Sequence, residues 1–150
     1  MFTLGSVASA NSYKSVEVAV TQSNAAELMI AVAVYKSAYS EYPPLDRKSL
    51  YEALKGGKND QLNPKGLRFW SPKTEKKFLW WTTQRGMMNE NGDLIDGWGQ
   101  PFHWDLSDDQ KKLKLISKGK NGVLDAEHPD GDDLHFIIAE PHKTEVEPVR

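Results

Sequence analysis

Asp96-Gly97-Trp98-Gly99-Gln100-Pro101-Phe102-His103-Trp104 is the stretch on which the fold turns. Gly97 and Gly99 flank Trp98, so the backbone can bend sharply and seat the indole as an anchor against apolar side chains. Pro101 suits the first position of a strand, where a missing N–H costs little. Phe102, Trp104 and Leu106 then alternate with His103 and Asp105, the period of a strand with one buried face. Ser107-Asp108-Asp109-Gln110 is a polar turn, after which Leu113 and Leu115 alternate with Lys112 and Lys114. The expectation is an antiparallel hairpin whose second strand runs through Leu115-Ile116-Ser117-Lys118-Gly119-Lys120-Asn121-Gly122 into a loop of carboxylates.

That loop carries Asp125, Glu127, Asp130, Asp132 and Asp133, together with Gly119, Gly122 and Gly131. Like charges so close repel unless water, lysines or a bound cation screens them. Ca²⁺ takes about six to eight oxygens from carboxylates, carbonyls and water, and a glycine-bent loop with several Asp supplies that chemistry. No EF-hand spacing is present here or in Asn89–Asp96. On the residues alone, a Ca²⁺ loop and a solvated acidic loop both remain open.

Working back toward the N-terminus, Ala25, Leu28, Met29, Val32, Tyr35, Ala38, Tyr39 and Tyr42 recur at spacings of three and four. They form one broad apolar stripe of a helix continuing from Ser15 or earlier. Ser23 or Asn24 is a weaker alternative start, and Tyr42-Pro43-Pro44 is the expected stop. Asp46 to Leu54 reads as a short helix with Asp46 as N-cap and Gly56-Gly57 beyond its end. Lys58 to Lys77 is an expected loop that pins Phe69 and Trp70 in apolar surroundings, and Phe78, Leu79, Trp80 and Trp81 form an aromatic cluster. Met87 to Ile95 reads as a hairpin around Asn91-Gly92.

The composition bounds function. A chain of 150 residues with net charge −2 fits one domain, and near balance argues against a nucleic-acid or polybasic membrane-surface protein. Zero cysteines excludes disulfides and thiolate metal sites. No nucleophile elbow, phosphate-binding glycine loop or His-Glu-x-x-His occurs, and His103, His128, His135 and His142 are scattered. A zinc centre of His128, Asp130, Asp132 and His135 lacks a substrate pocket or general base to serve it, so the expectation is a non-enzyme with no small-molecule substrate.

Asp-Gly-Trp-Gly-Gln-Pro-Phe-His-Trp, Ser-Lys-Gly-Lys-Asn-Gly and Gly-Asp-Asp-Leu, in this order, resemble the C-terminal signature of the major (G-type) pseudopilins of type II secretion. The helix closing on Tyr42-Pro43, followed by Leu50-Tyr51-Glu52-Ala53-Leu54, agrees, and the likeness spans roughly Ala25 to Leu134. The resemblance implies an α+β pilin-like fold: a long N-terminal helix on a small antiparallel sheet, with a C-terminal metal-binding loop. It implies Ca²⁺ as cofactor, held by Asn121, Asp132 and Asp133, with backbone oxygen from the Ile116–Ser117 region and a carboxylate from Asp130 or Asp125. Gly97 stands where the family has Pro, and Asn121 where it has Asp, a change that lowers ligand charge. The segment Val123–Asp130 also departs from the family's Gly-rich run.

The resemblance further implies a filament-forming subunit for protein secretion. Such a subunit is set in the periplasm, self-associates, and meets minor pseudopilins and inner-membrane components. The rivals are a minor pseudopilin or type IV pilin-like subunit, and a free-standing Ca²⁺-dependent module with Phe69, Trp80 and Trp81 as its platform. Met1-Phe2-Thr3-Leu4 echoes the family's start, but Gly5 to Ser12 does not continue it, and no unbroken run of about 18 apolar residues occurs. Residues 1–13 therefore read as a flexible segment or artificial junction in place of the anchor helix. Residues 14–138 read as the domain and 139–150 as a flexible tail.

Overall fold

The first helix carries apolar and small residues on its exposed face as well as on the face it buries, with Glu17, Gln22 and Lys36 between the two. The computed structural model describes residues 16–74, 76–78, 81–84, 86–124 and 132–139, and of 76–78 and 81–84 the backbone alone. In chain order the elements are α1 (Val16–Tyr39), α2 (Arg47–Leu54), β1 (Lys76–Phe78), β2 (Trp81–Gln84), β3 (His103–Leu106), β4 (Lys112–Ser117) and β5 (Leu134–Ala139). Strands β3, β4 and β5 form an antiparallel sheet in that order, and β1 and β2 form a separate antiparallel pair. An N-terminal helix on a small antiparallel sheet is the α+β arrangement expected.

Helix α1 buries Ala25, Leu28, Met29, Val32 and Tyr35 against β4, β5 and α2. The facing sheet surface is set by strict alternation. Leu113 and Leu115 are fully buried, flanked by Leu106 and Trp104 on β3 and by Ile138 and Phe136 on β5. The helix is continuous through Ser23 and Asn24; instead of capping a start, Asn24 donates through Nδ2 to Ile95 O at 3.1 Å. It also stops earlier than the prolines require. Ser40 takes a left-handed φ of 64° and its amide bonds Lys36 O at 2.7 Å, a left-handed cap that ends the helix at Tyr39. Tyr42 lies beyond that end, with the Lys36 ammonium 4.2 Å from its ring centre.

The cap of α2 is the expected one: Asp46 accepts from the Ser49 amide at 3.0 Å, and that bond, with the Ser49 hydroxyl, holds its carboxyl below the ordinary range. Beyond α2, Asn63 is fully buried and satisfied. It donates to Ala53 O and Leu67 O and accepts from the Leu67 amide and the Tyr39 hydroxyl. This pins the loop carrying Phe69 and Trp70 over α1. Trp70 is buried, and Phe69 stands 5.3 Å and 6.0 Å, centre to centre, from the Tyr35 and Tyr39 rings.

Three expectations change. Met87 to Ile95 does turn back at Asn91-Gly92, with Asn89 N on Asp93 O and Ile95 N on Met87 O, each at 2.9 Å. The pairing is one antiparallel bridge, Met88–Leu94, rather than two strands, and the Asp93 amide goes to the Asn89 side chain. Strand β5 is an addition to the expected elements: Leu134-His135-Phe136-Ile137-Ile138-Ala139 supplies the third strand, so Ala139 closes the sheet instead of opening a tail. Helix α1, at 24 residues with an 18-residue window of mean hydropathy 1.3, does reach the length and composition of a membrane span, although its polar residues break any unbroken apolar run. Within that window 44% of residues are buried inside the protein, so the same composition also suits a core helix.

Candidate functional site

The turn at Asp96 is where helix, hairpin and acidic loop meet. Asp96 is 2% exposed, and its carboxylate accepts on both oxygens. Oδ1 takes the Trp98 and Gln100 amides, each at 2.9 Å, and Oδ2 takes the Ser117 hydroxyl at 2.6 Å. The short-range bonds follow from sequence, since an Asp side chain readily caps amides a few residues on. The Ser117 bond does not, because it spans 21 residues and exists only once β4 has formed.

Two buried polar residues of α1 fasten this turn. Thr21 accepts the Gly97 amide at 2.8 Å while donating to Glu17 O at 2.7 Å, and Asn24 holds Ile95 O. The backbones approach so closely that a Cβ at Gly97 would collide with the Glu17 carbonyl. A proline there would also lack the N–H that Thr21 receives.

From Ser117 the contacts continue into the acidic loop. Its Oγ accepts the Gly119 amide at 3.2 Å. Gly119, at φ 60°, is buried so tightly that a Cβ would strike the Asp132 backbone and carboxylate. Asp132 Oδ2 accepts the Lys120 amide at 2.7 Å and the Asn121 amide at 3.1 Å. Gly122 packs on the Gln100 side chain, so the loop rests against the Asp96 turn.

The expected ligands fare unequally. Asp132 and Asp133 sit together immediately before β5. Asn121 joins them through its amide, but its side-chain oxygen folds back onto the Val123 amide at 2.7 Å. Ser117, expected to offer a backbone oxygen, is buried, and its hydroxyl donates to Asp96. Asp125 and Asp130 lie outside the described residues, as does Trp80, and the Trp81 side chain is not described. Among the described residues, no three His, Asp or Glu side chains gather as a cation site. Of the expected set, the structure brings together Asp132, Asp133 and the Asn121 backbone alone.

Sequence reading missed Thr21, Asn24 and the carboxylate of Asp96. Thr21 and Asn24 carried a signal: both interrupt an otherwise apolar helical face. Trp98, expected as an anchor, is half-buried, and its amide is bound to Asp96. Phe69 is packed between tyrosine rings rather than offered as a platform.

The other side of α1 is exposed. Val16, Ala19, Ser23, Ala26, Glu27, Ile30, Val34 and Ser37 line it, and Glu27 is the one charge among them. Val16 is 61%, Ile30 60% and Val34 49% exposed. A surface helix ordinarily turns its charged residues outward, and this one turns small and apolar residues both ways. No protein-family model, curated protein or solved structure matches this chain.

Proposed function

We propose that this chain is a filament subunit of the type II secretion pseudopilus, built to pack through α1 against further copies of itself. The outward face of α1 carries the reading: an uncovered stripe from Val16 to Ser37 with a single charge. Burying an aliphatic side chain such as Ile30 or Val34 is worth about 1.5–3 kcal/mol, a gain that a partner surface would supply here. The helix-on-sheet architecture and the order of turn, hairpin and acidic loop along the chain support it further. In this reading the anchor precedes residue 16, the domain lies in the periplasm, and minor pseudopilins meet the end of the filament. Ca²⁺, where bound, belongs to Asp132, Asp133 and Asn121 with Asp125 or Asp130, and supplies charge neutralisation that holds the loop.

The test uses the absence of native cysteine. Val16→Cys and Val34→Cys, made together in the chain behind an apolar anchor helix, place two thiols about 27 Å apart on one helix, too far to bond within a chain. Oxidation in the membrane is expected to give a ladder of linked subunits, and Ile30→Asp added to that pair is expected to erase it while leaving the unfolding midpoint of the domain unchanged. Monomer in every sample would refute the filament reading.

A further inference from the structure

We propose that Asn121 is a site of spontaneous deamidation, and that the fold directs this reaction to Asn121 in preference to the chain's other Asn-Gly pair, Asn91-Gly92. Both asparagines are exposed, and both are followed by a glycine whose missing side chain leaves its nitrogen accessible. Their surroundings differ in the groups that react. At Asn121 the side-chain carbonyl accepts the Val123 amide at 2.7 Å. A donor on that oxygen draws electron density from Cγ and stabilises the negative charge that grows on the oxygen during attack. At Asn91 the attacking nitrogen is already engaged: the Gly92 amide donates to Asn89 O at 3.0 Å. Both loops are braced at the asparagine's own amide, Asn91 on Asn89 Oδ1 and Asn121 on Asp132 Oδ2, so the engaged glycine nitrogen and the donor on the side-chain oxygen are what set them apart.

The Gly122 nitrogen loses its proton to water and bonds to Asn121 Cγ. Water returns a proton to Nδ2, the Cγ–Nδ2 bond breaks, and the side-chain nitrogen leaves as ammonia, closing a succinimide. Water then opens the ring. Cleavage at Cγ restores the backbone and leaves an aspartate at position 121; cleavage at the main-chain carbonyl leaves an isoaspartate with its chain routed through Cγ. Either product places a new carboxylate next to Asp132, which holds the amide of the same residue. The loop thus gains negative charge with age, in the neighbourhood where a cation ligand is wanted.

The experiment incubates the purified chain at neutral pH, folded and in urea, and follows both Asn-Gly peptides by mass and by isoaspartate content. In the folded chain, conversion at Asn121 is expected to outpace Asn91 by about tenfold, the scale of one hydrogen bond at each site. In urea the two rates are expected to converge. Val123→Pro deletes the donor on Asn121 and is expected to slow conversion at 121 while leaving 91 unchanged. Faster conversion at Asn91 in the folded chain, or a ratio that urea does not alter, overturns the proposal.

Discussion

Asp96 and Asp132 perform the same local task in opposite surroundings. Each uses one carboxylate oxygen to gather two backbone amides of a glycine-bent turn, Asp96 those of Trp98 and Gln100, and Asp132 those of Lys120 and Asn121. Asp96 does so at 2% exposure with a hydroxyl on its other oxygen, whereas Asp132 stands exposed at the surface. Burial decides how much each is worth. Water can replace a lost acceptor at Asp132, but the buried Ser117 hydroxyl would be left with nothing, and the part-buried Trp98 and Gln100 amides would be only partly resolvated.

The largest effect therefore belongs to Asp96→Ala, which strands the buried Ser117 hydroxyl and the part-buried amides of its own turn at once. A loss of about 3 kcal/mol is expected, read as a fall in the urea midpoint at unchanged slope. Asp96→Asn keeps an oxygen for the amides and should recover part of that loss. Equal costs for Asp96→Ala and Asp132→Ala would remove the distinction between the two turns.

Next in size is Gly97→Ala, which tests the turn from the helix side. The added methyl meets the Glu17 backbone rather than a yielding side chain, so the turn must lift from α1. Overpacking of this kind costs about 1–3 kcal/mol. Lifting the turn also breaks the Thr21–Gly97 bond, so hydrogen exchange should accelerate at the Gly97 amide. An alanine tolerated there without loss of stability or protection would show that the turn can move off the helix freely.

The two regions differ equally in how far they can be read from sequence. The Asp96 turn, the β3–β4 hairpin and α2 with its Asp46 cap are legible because their signals are local: paired glycines, period-two alternation, a capping aspartate. The features that sequence hides are non-local. Nothing near Ser117 in sequence reveals that its hydroxyl faces Asp96, 21 residues away. Pro43 and Pro44 look like the end of α1, whereas Ser40 adopts a positive φ that its residue type does not advertise. Strand β5 is harder to place because its partner is β4, whose last residue Ser117 pairs with Leu134 across the whole acidic segment rather than across a short turn. The exposed stripe of α1 is invisible for another reason: periodicity identifies which residues are apolar, and this helix carries apolar and small residues on its exposed face as well as on the face it buries.

The smallest effect is expected at Asp132, and it sharpens the comparison most when cations are varied. Asp132→Ala exposes the Lys120 and Asn121 amides to water, so its cost in EDTA should be about 1 kcal/mol or less. If the loop takes Ca²⁺, native-state binding adds about 2.7 kcal/mol when the ion is a hundredfold above its Kd, and Asp132→Ala loses that increment as well. Thermal unfolding of wild type and Asp132→Ala in Ca²⁺, Mg²⁺ and EDTA separates the two contributions. A rise confined to wild type with Ca²⁺ makes Asp132 both cap and ligand, and the two Asp turns then differ in kind. Coincident midpoints in all three leave Asp132 a surface copy of Asp96, closing its loop with amides alone, and the filament reading then rests entirely on α1.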